Sequence, residues 1–211
     1  MNEAILREEL ALFGRRLWER GLIGGNEGNL SARLGPDRVL ATPAGQSKGH
    51  LARDQMVVLD LEGQAISGGK PSSEIKLHLR AYAQRPDCQA VVHAHPPVAT
   101  AYTLAGLSIP DDVLPEAGYV LGPVATVPFA MPGTDEVPDR LEPLLGGHKT
   151  FLISHHGAAT LGSSLEDAYN RMETLERVAR VLMLARLAGK VEPMPSDAYE
   201  ALLPLFHGRL E

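Results

Sequence analysis

The residues best suited to chemistry are two histidines spaced by one residue. His93-Ala94-His95 ends the apolar run AVVHAH, just before Pro96-Pro97. On a strand, residues i and i+2 point to the same face, so both imidazoles project together, as two ligands of one metal ion must. Standing alone, such a pair is more often two hydrogen-bonded histidines at a core edge. A second pair, His155-His156-Gly157, follows another apolar run, FLIS, and moves the balance towards a metal site. Adjacent strand residues face opposite sides, so one of His155 and His156 joins the first pair, and Gly157 permits a turn or close approach there. Pattern alone does not choose between the two. A catalytic zinc takes about three protein ligands and keeps one position open. His93, His95 and one member of the second pair satisfy that count.

Other segments carry groups suited to an anion. The stretch GGNEGNLS, residues 24–31, lacks the Gly-Lys-Ser ending of a Walker loop and is not a dinucleotide fingerprint. Gly28-Asn29 can still present backbone N–H groups to an anion, although a plain turn is the simpler reading. Thr42-Pro43-Ala44-Gly45 is open to the same two readings. Pro71-Ser72-Ser73-Glu74 reads as a helix start. Serine hydroxyls and free N–H groups there bind phosphate, and Glu74 would reach a nearby metal. The plainer alternative is an ordinary N-cap with a first-turn acid.

These groups need elements to hold them. Leu6, Leu10, Phe13 and Leu17 recur at helical spacing and predict an amphipathic helix over 3–20, stopped by Gly21. Runs at 30–34 and 38–42 flank a Gly-Pro-Asp turn and predict a hairpin. Strands are expected at 56–61, 90–95, 123–129 and 149–154. Pro71 and the serines open a helix through about 84, ended by Pro86, and Pro96-Pro97 opens another. A further helix lies near 135–145. Ser164-Leu165-Glu166-Asp167 resembles a capping box opening a long helix to about 188. The tail beyond Gly189 is Pro-rich and then weakly helical. With no repeat or clear boundary, one α/β domain over 1–211, with a tail from about 190, is the economical reading.

Composition limits the partners. The chain has 211 residues, with 44% hydrophobic, 22% charged and only 5% aromatic, so the core is mainly aliphatic. A net charge of −6 argues against nucleic acid, but leaves room for a small phosphorylated substrate. Cys88 is the single cysteine, which excludes an intrachain disulfide and fits a cytoplasmic setting. The N-terminus has acids where a signal peptide needs bases, and no apolar run reaches the roughly 18 residues of a membrane span.

Together, GNEGNLS, TPAG, GGKPSSE, RPDCQAVVHAHPP and ISHHGAATLG, in this order and spacing, resemble the class II aldolase/adducin-head family, and within it the fuculose-phosphate aldolases most. The similarity runs from the first helix to the end of the long one. It implies a three-layer α/β/α fold with a central, mainly antiparallel sheet, and a homotetramer with active sites at subunit interfaces. It implies that His93, His95 and His156 bind zinc, with Mn2+ or Co2+ as alternatives, and that Glu74 is the fourth ligand. His156 is selected because relatives with a single histidine keep the one before glycine. Gly28, Asn29, Ala44, Gly45, Ser72 and Ser73 would form a phosphate pocket. One departure is plain: Leu114 stands where the fuculose-phosphate aldolases carry an essential tyrosine. Glu116, in LPEAGY, is the proton donor expected instead, with Tyr119 near it; Tyr199, the only tyrosine of the tail, would correspond to the family's second tyrosine, which a neighbouring subunit supplies.

The activity implied is metal-dependent cleavage of a ketose 1-phosphate to dihydroxyacetone phosphate and an aldehyde, with Glu74 handling the proton. The alternatives within the family are 4-epimerisation, dehydration of methylthioribulose 1-phosphate and decarboxylation. An adducin-head-like binding module without chemistry is the alternative of a different class.

Overall fold

A computed structural model describes residues 2–207. Helix α1 (Glu3–Glu19) buries Leu6, Leu10, Phe13 and Leu17, the stripe that its spacing predicts. Strands β1 (Asn29–Arg33) and β2 (Arg38–Ala41) form the expected hairpin, and β3 (Val57–Asp60) pairs with β2. A short β4 (Ala65–Ser67) adds an edge. Helix α2 (Ile75–Gln84) leads to β5 (Ala90–Ala94) and α3 (Pro97–Leu104). After a π-helical turn at Ala117–Leu121 come β6 (Val124–Val127), α4 (Glu136–Leu141), β7 (Thr150–Ile153), β8 (Gly157–Gly162), the long α5 (Leu165–Ala188) and α6 (Ser196–His207).

The eight strands form a single mixed sheet in the order β4-β3-β2-β1-β5-β8-β7-β6. Every pairing is antiparallel except β6 with β7. Strand alternation divides the core. Leu30, Val92, Ala94 and Ala158 pack with α1, α3 and α5. Val91, Phe151, Ile153 and Ala159 pack with α2 and α4 on the other face.

Two departures from the sequence reading bear on the site. Helix α2 begins at Ile75, not at Pro71. Pro71 bridges Pro43, and the Lys70 carbonyl accepts from the Ala44 N–H at 2.8 Å, so the chain stays extended there and Ser72–Glu74 turn into the helix. Strand β8, GAATLG, was not expected because it lacks β-branched runs. Its small residues serve close approach. A Cβ on Gly157 would lie 2.4 Å from the Ala94 carbonyl oxygen, and one on Gly162 2.4 Å from the Ala168 nitrogen.

Candidate metal centre

Strand β5 lies at the middle of the sheet and carries His93 on the face covered by α2. Its Nδ1 lies 2.9 Å from the Ala158 carbonyl oxygen on β8. A carbonyl only accepts, so Nδ1 carries the proton and donates it. In the neutral ring Nε2 is then a bare lone pair. That lone pair faces the Glu74 carboxylate, with Nε2 3.3 Å from Oε2, and His95 Nε2 at 3.2 Å. Glu74 Oε1 lies 3.1 Å from His156 Nε2. One ligand atom from each of Glu74, His93, His95 and His156 lies within 4.8 Å of the others.

This donor set fits a divalent metal. A tetrahedral zinc with bonds of about 2.0–2.1 Å spaces its ligands at roughly 3.3–3.4 Å; the contacts Glu74–His93, Glu74–His156 and His93–His95 span 3.1–3.3 Å, and all four ligand atoms lie within 4.8 Å of one another. Lone pairs and a carboxylate aimed at one point repel each other unless a cation lies between them. Burial alone would raise the Glu74 carboxyl; the neighbouring His93 and His156 imidazoles outweigh it and hold the group well below its usual range. Burial, with His93 and His156 adding to it, lowers His95 to about 4, which leaves its imidazole neutral and ready to ligate. His156 Nδ1 is buried without a hydrogen-bond partner among the described residues.

The turn between β7 and β8 separates the two adjacent histidines. His155 is exposed with φ 57, and its N–H donates to Thr103 Oγ1 at 3.0 Å. Its ring meets Phe129 edge-on at 6.0 Å. His156 turns inward to Glu74. The choice is therefore made by a left-handed residue, not by strand alternation.

The anion-binding residues are gathered unevenly. Gly28, φ 68, is confined by neighbours: a Cβ there would lie 2.6 Å from Ile23 Cγ2 and 2.9 Å from the His93 carbonyl oxygen. Asn29 is buried and pairs with His93 across the sheet. Its Nδ2 donates to Glu74 Oε2 at 3.1 Å and to Ser72 Oγ at 3.3 Å. Ser73 and Gly45 are exposed. Ala44 differs from expectation, because its N–H is spent on Lys70 and is not free for an anion. Between these loops Lys48 is buried, and its Nζ donates to the carbonyls of Asn26 and Gln46 at 2.7 and 2.9 Å. Sequence reading passed over this lysine.

Glu116 does not join the cluster. It is exposed at the start of the π turn, which abuts the beginnings of β6 and β7, whereas His156 follows the end of β7. Leu114 is half-buried against the core and Tyr119 lies within the π turn. Tyr199, on α6, donates to Asp111 Oδ2 at 3.0 Å, on a loop of its own protomer. Sequence reading also missed Ser31, His78 and Tyr82, buried beside Asn29. Their signal was present as polar residues two apart on β1 (Asn29, Ser31) and four apart on α2 (His78, Tyr82).

Comparison with known proteins bears on the activity. Residues 8–183 match the family model described as the class II aldolase and adducin N-terminal domain. A 3-oxo-tetronate 4-phosphate decarboxylase of Haemophilus influenzae is 36% identical over 185 residues, 86% of this chain and 88% of the relative. An L-fuculose phosphate aldolase of Methanococcus maripaludis is 33% identical over 79% of this chain and 90% of its own. The crystal structure of YgbL from Klebsiella pneumoniae, a candidate aldolase/epimerase/decarboxylase, superposes with TM-score 0.89 at 35% identity, covering 96% of this chain and 99% of that one. These relations overturn the expected ketose 1-phosphate cleavage. Decarboxylases match at higher identity and over more of the chain than the fuculose-phosphate aldolase does. No described helix is long and apolar enough to cross a membrane. The chain belongs to the class II aldolase and adducin N-terminal family.

Proposed function

We propose that the protein is a metal-dependent decarboxylase of a phosphorylated 3-oxo acid of the 3-oxo-tetronate 4-phosphate type, forming dihydroxyacetone phosphate and CO2. The observation that carries this reading is the 36% identity to such a decarboxylase over 86% of the chain. The chemistry agrees with it. In a 3-oxo acid the C1–C2 bond breaks, its electron pair becomes the C2–C3 double bond, and the carbonyl electrons move to the C3 oxygen. CO2 leaves, and one proton from water ends on C2. No hydroxyl proton has to be removed before the bond breaks, which fits the loss of the aldolase tyrosine at Leu114.

His93, His95, His156 and Glu74 would hold the cation, which we take to be zinc for its nitrogen-rich donor set. When bound, it acts as a Lewis acid towards charge developing on the substrate oxygens. Ser72, Ser73 and the backbones of Gly28, Asn29 and Gly45 cradle the phosphate. Glu74, ionised at rest, accepts a proton from water and passes it to C2. Glu116 enters as a donor only across a subunit interface, because its own protomer sets it by the starts of β6 and β7. A homotetramer with shared sites, as the family resemblance implies, would bring it there from a neighbouring subunit. The two apolar clusters on opposite faces support the family's α/β/α layering over one domain.

The test is to supply zinc-loaded protein with 3-oxo-tetronate 4-phosphate and follow CO2 and dihydroxyacetone phosphate above the spontaneous rate. Equimolar formation of both, abolished by chelation, is the expected result. A rate equal to the background would sink the proposal.

A further inference from the structure

Behind the candidate metal centre, a line of buried hydrogen bonds runs from α2 into β1. Tyr82 OH lies 2.8 Å from Ser31 Oγ, Ser31 Oγ 2.7 Å from His78 Nδ1, and His78 Nε2 2.5 Å from Asn29 Oδ1. Asn29 Nδ2 continues it to Glu74 Oε2 and Ser72 Oγ. Tyr82, Ser31 and His78 are each no more than 2% exposed, so water does not complete the chain.

Each proton in the line has a determined place. An ionised carboxylate only accepts, so the Asn29 amide must present its NH2 to Glu74. Its carbonyl oxygen then faces His78, and Nε2 must be the protonated nitrogen. Burial, with His93 adding to it and Glu74 opposing, lowers His78 to about 3, so the ring is neutral and Nδ1 accepts. The Ser31 hydroxyl therefore donates to Nδ1, and the Tyr82 hydroxyl donates to Ser31. Burial raises the Tyr82 phenol well above its usual range, which keeps it a donor. Arg33 anchors this end, lying over the ring at 4.9 Å and donating to the Tyr82 carbonyl at 2.6 Å.

We propose that Tyr82, Ser31 and His78 form a positioning relay that fixes the direction of the Asn29 carboxamide, and thereby holds Glu74 and Ser72 in place as one unit. This rests on the reading of the Glu74/His93/His95/His156 cluster as a metal site. Without the His78 N–H, the amide is free to rotate and turn its carbonyl oxygen on the Glu74 carboxylate. One amide thus links a metal ligand to a phosphate-side hydroxyl. None of the three relay residues touches the substrate; they act through Asn29.

The test measures Co2+ binding by the absorption of the bound ion, so it needs no substrate. His78→Leu should raise the Co2+ dissociation constant by about 10–100-fold, the range for losing a ligand's supporting partner. Tyr82→Phe, which keeps the ring and removes only the end of the relay, should raise it by roughly 3–10-fold. In an Asn29→Ala background, either change should add no more than about twofold, because residues acting through one another are not additive. A purely structural role would give full additivity. Additive losses, or an unchanged constant in both single variants, would overturn the relay. If His78→Leu does not fold, Tyr82→Phe and its Asn29→Ala double variant decide the question alone. A wrong assignment of the reaction would show separately, as wild-type protein that binds Co2+ but releases no CO2.

Discussion

At the scale of single residues, the two adjacent histidines have opposite duties. His156 Nε2 belongs to the ligand cluster, while His155 makes the turn that delivers it. His156→Ala should therefore lower bound zinc per protomer sharply after dialysis against a weak chelator, and His155→Ala should retain it. The left-handed backbone of His155 costs about 1–2 kcal/mol for an ordinary side chain. His155→Asn should fold with equal or higher stability, since asparagine tolerates this region. His155→Val should lose roughly 1–2 kcal/mol or more in urea unfolding, because a β-branched residue fits it worst. Alternation along a strand could not separate this pair in the sequence, since His155 is not on a strand. His93 and His95 were legible because they follow the period-two rule. Ser31, His78 and Tyr82 offered only same-face polar spacing within β1 and within α2; that the two faces meet, across about fifty residues, is marked by no local pattern.

At the scale of elements, the site depends on where α3 begins. That helix starts at Pro97, two residues after His95, and its first N–H groups have no intrahelical partner. Glu176, on α5 and 4% exposed, accepts from Val98 and Ala99 N–H at 3.0–3.2 Å. A carboxylate here satisfies two orphan donors and opposes the positive helix end. Glu176→Ala should cost about 2–3 kcal/mol in chemical unfolding, because buried N–H groups lose their partner. Glu176→Gln, which keeps one acceptor, should cost less. The helices were largely legible from apolar spacing and caps. The Ser164 hydroxyl accepts from the Asp167 N–H at 3.1 Å, as the capping motif predicted. Strand β8 was not, because its glycines and alanines were chosen for clearance against Ala94 and Ala168, and small residues carry little strand signal.

At the scale of the whole molecule, acid should unfold the metal-free protein through histidine as well as carboxylate. His78 is held near 3 in the fold, chiefly by burial, against an ordinary 6.5. Between those values the unfolded chain takes up a proton that the folded chain refuses. Its contribution is intact above pH 6.5 and is lost as pH falls towards 3, at up to about 1.4 kcal/mol per unit. Glu74, held low, adds a loss of the same sign once pH falls below about its ordinary 4.5. Urea midpoints of chelated protein should fall between pH 6.5 and 5, before most carboxylates titrate, and His78→Gln should reduce that slope, leaving the share of His95, which burial also lowers to about 4. A flat wild-type profile over this interval would mean that His78 titrates normally in the fold.

Asn29 and His93 face each other across β1 and β5, although sixty-four residues separate them; His156 arrives later still in the chain. A chain that has formed only its local hairpins and helices possesses none of this pocket. Closing such distant pairs is slow, and it comes late in assembly when contacts are non-local. Zinc should therefore leave the rate of refolding almost unchanged and appear only as slower unfolding, the behaviour of an interaction absent from the transition state. Stopped-flow traces with and without zinc would measure it, and a faster refolding limb would place part of the centre earlier in the sequence of events.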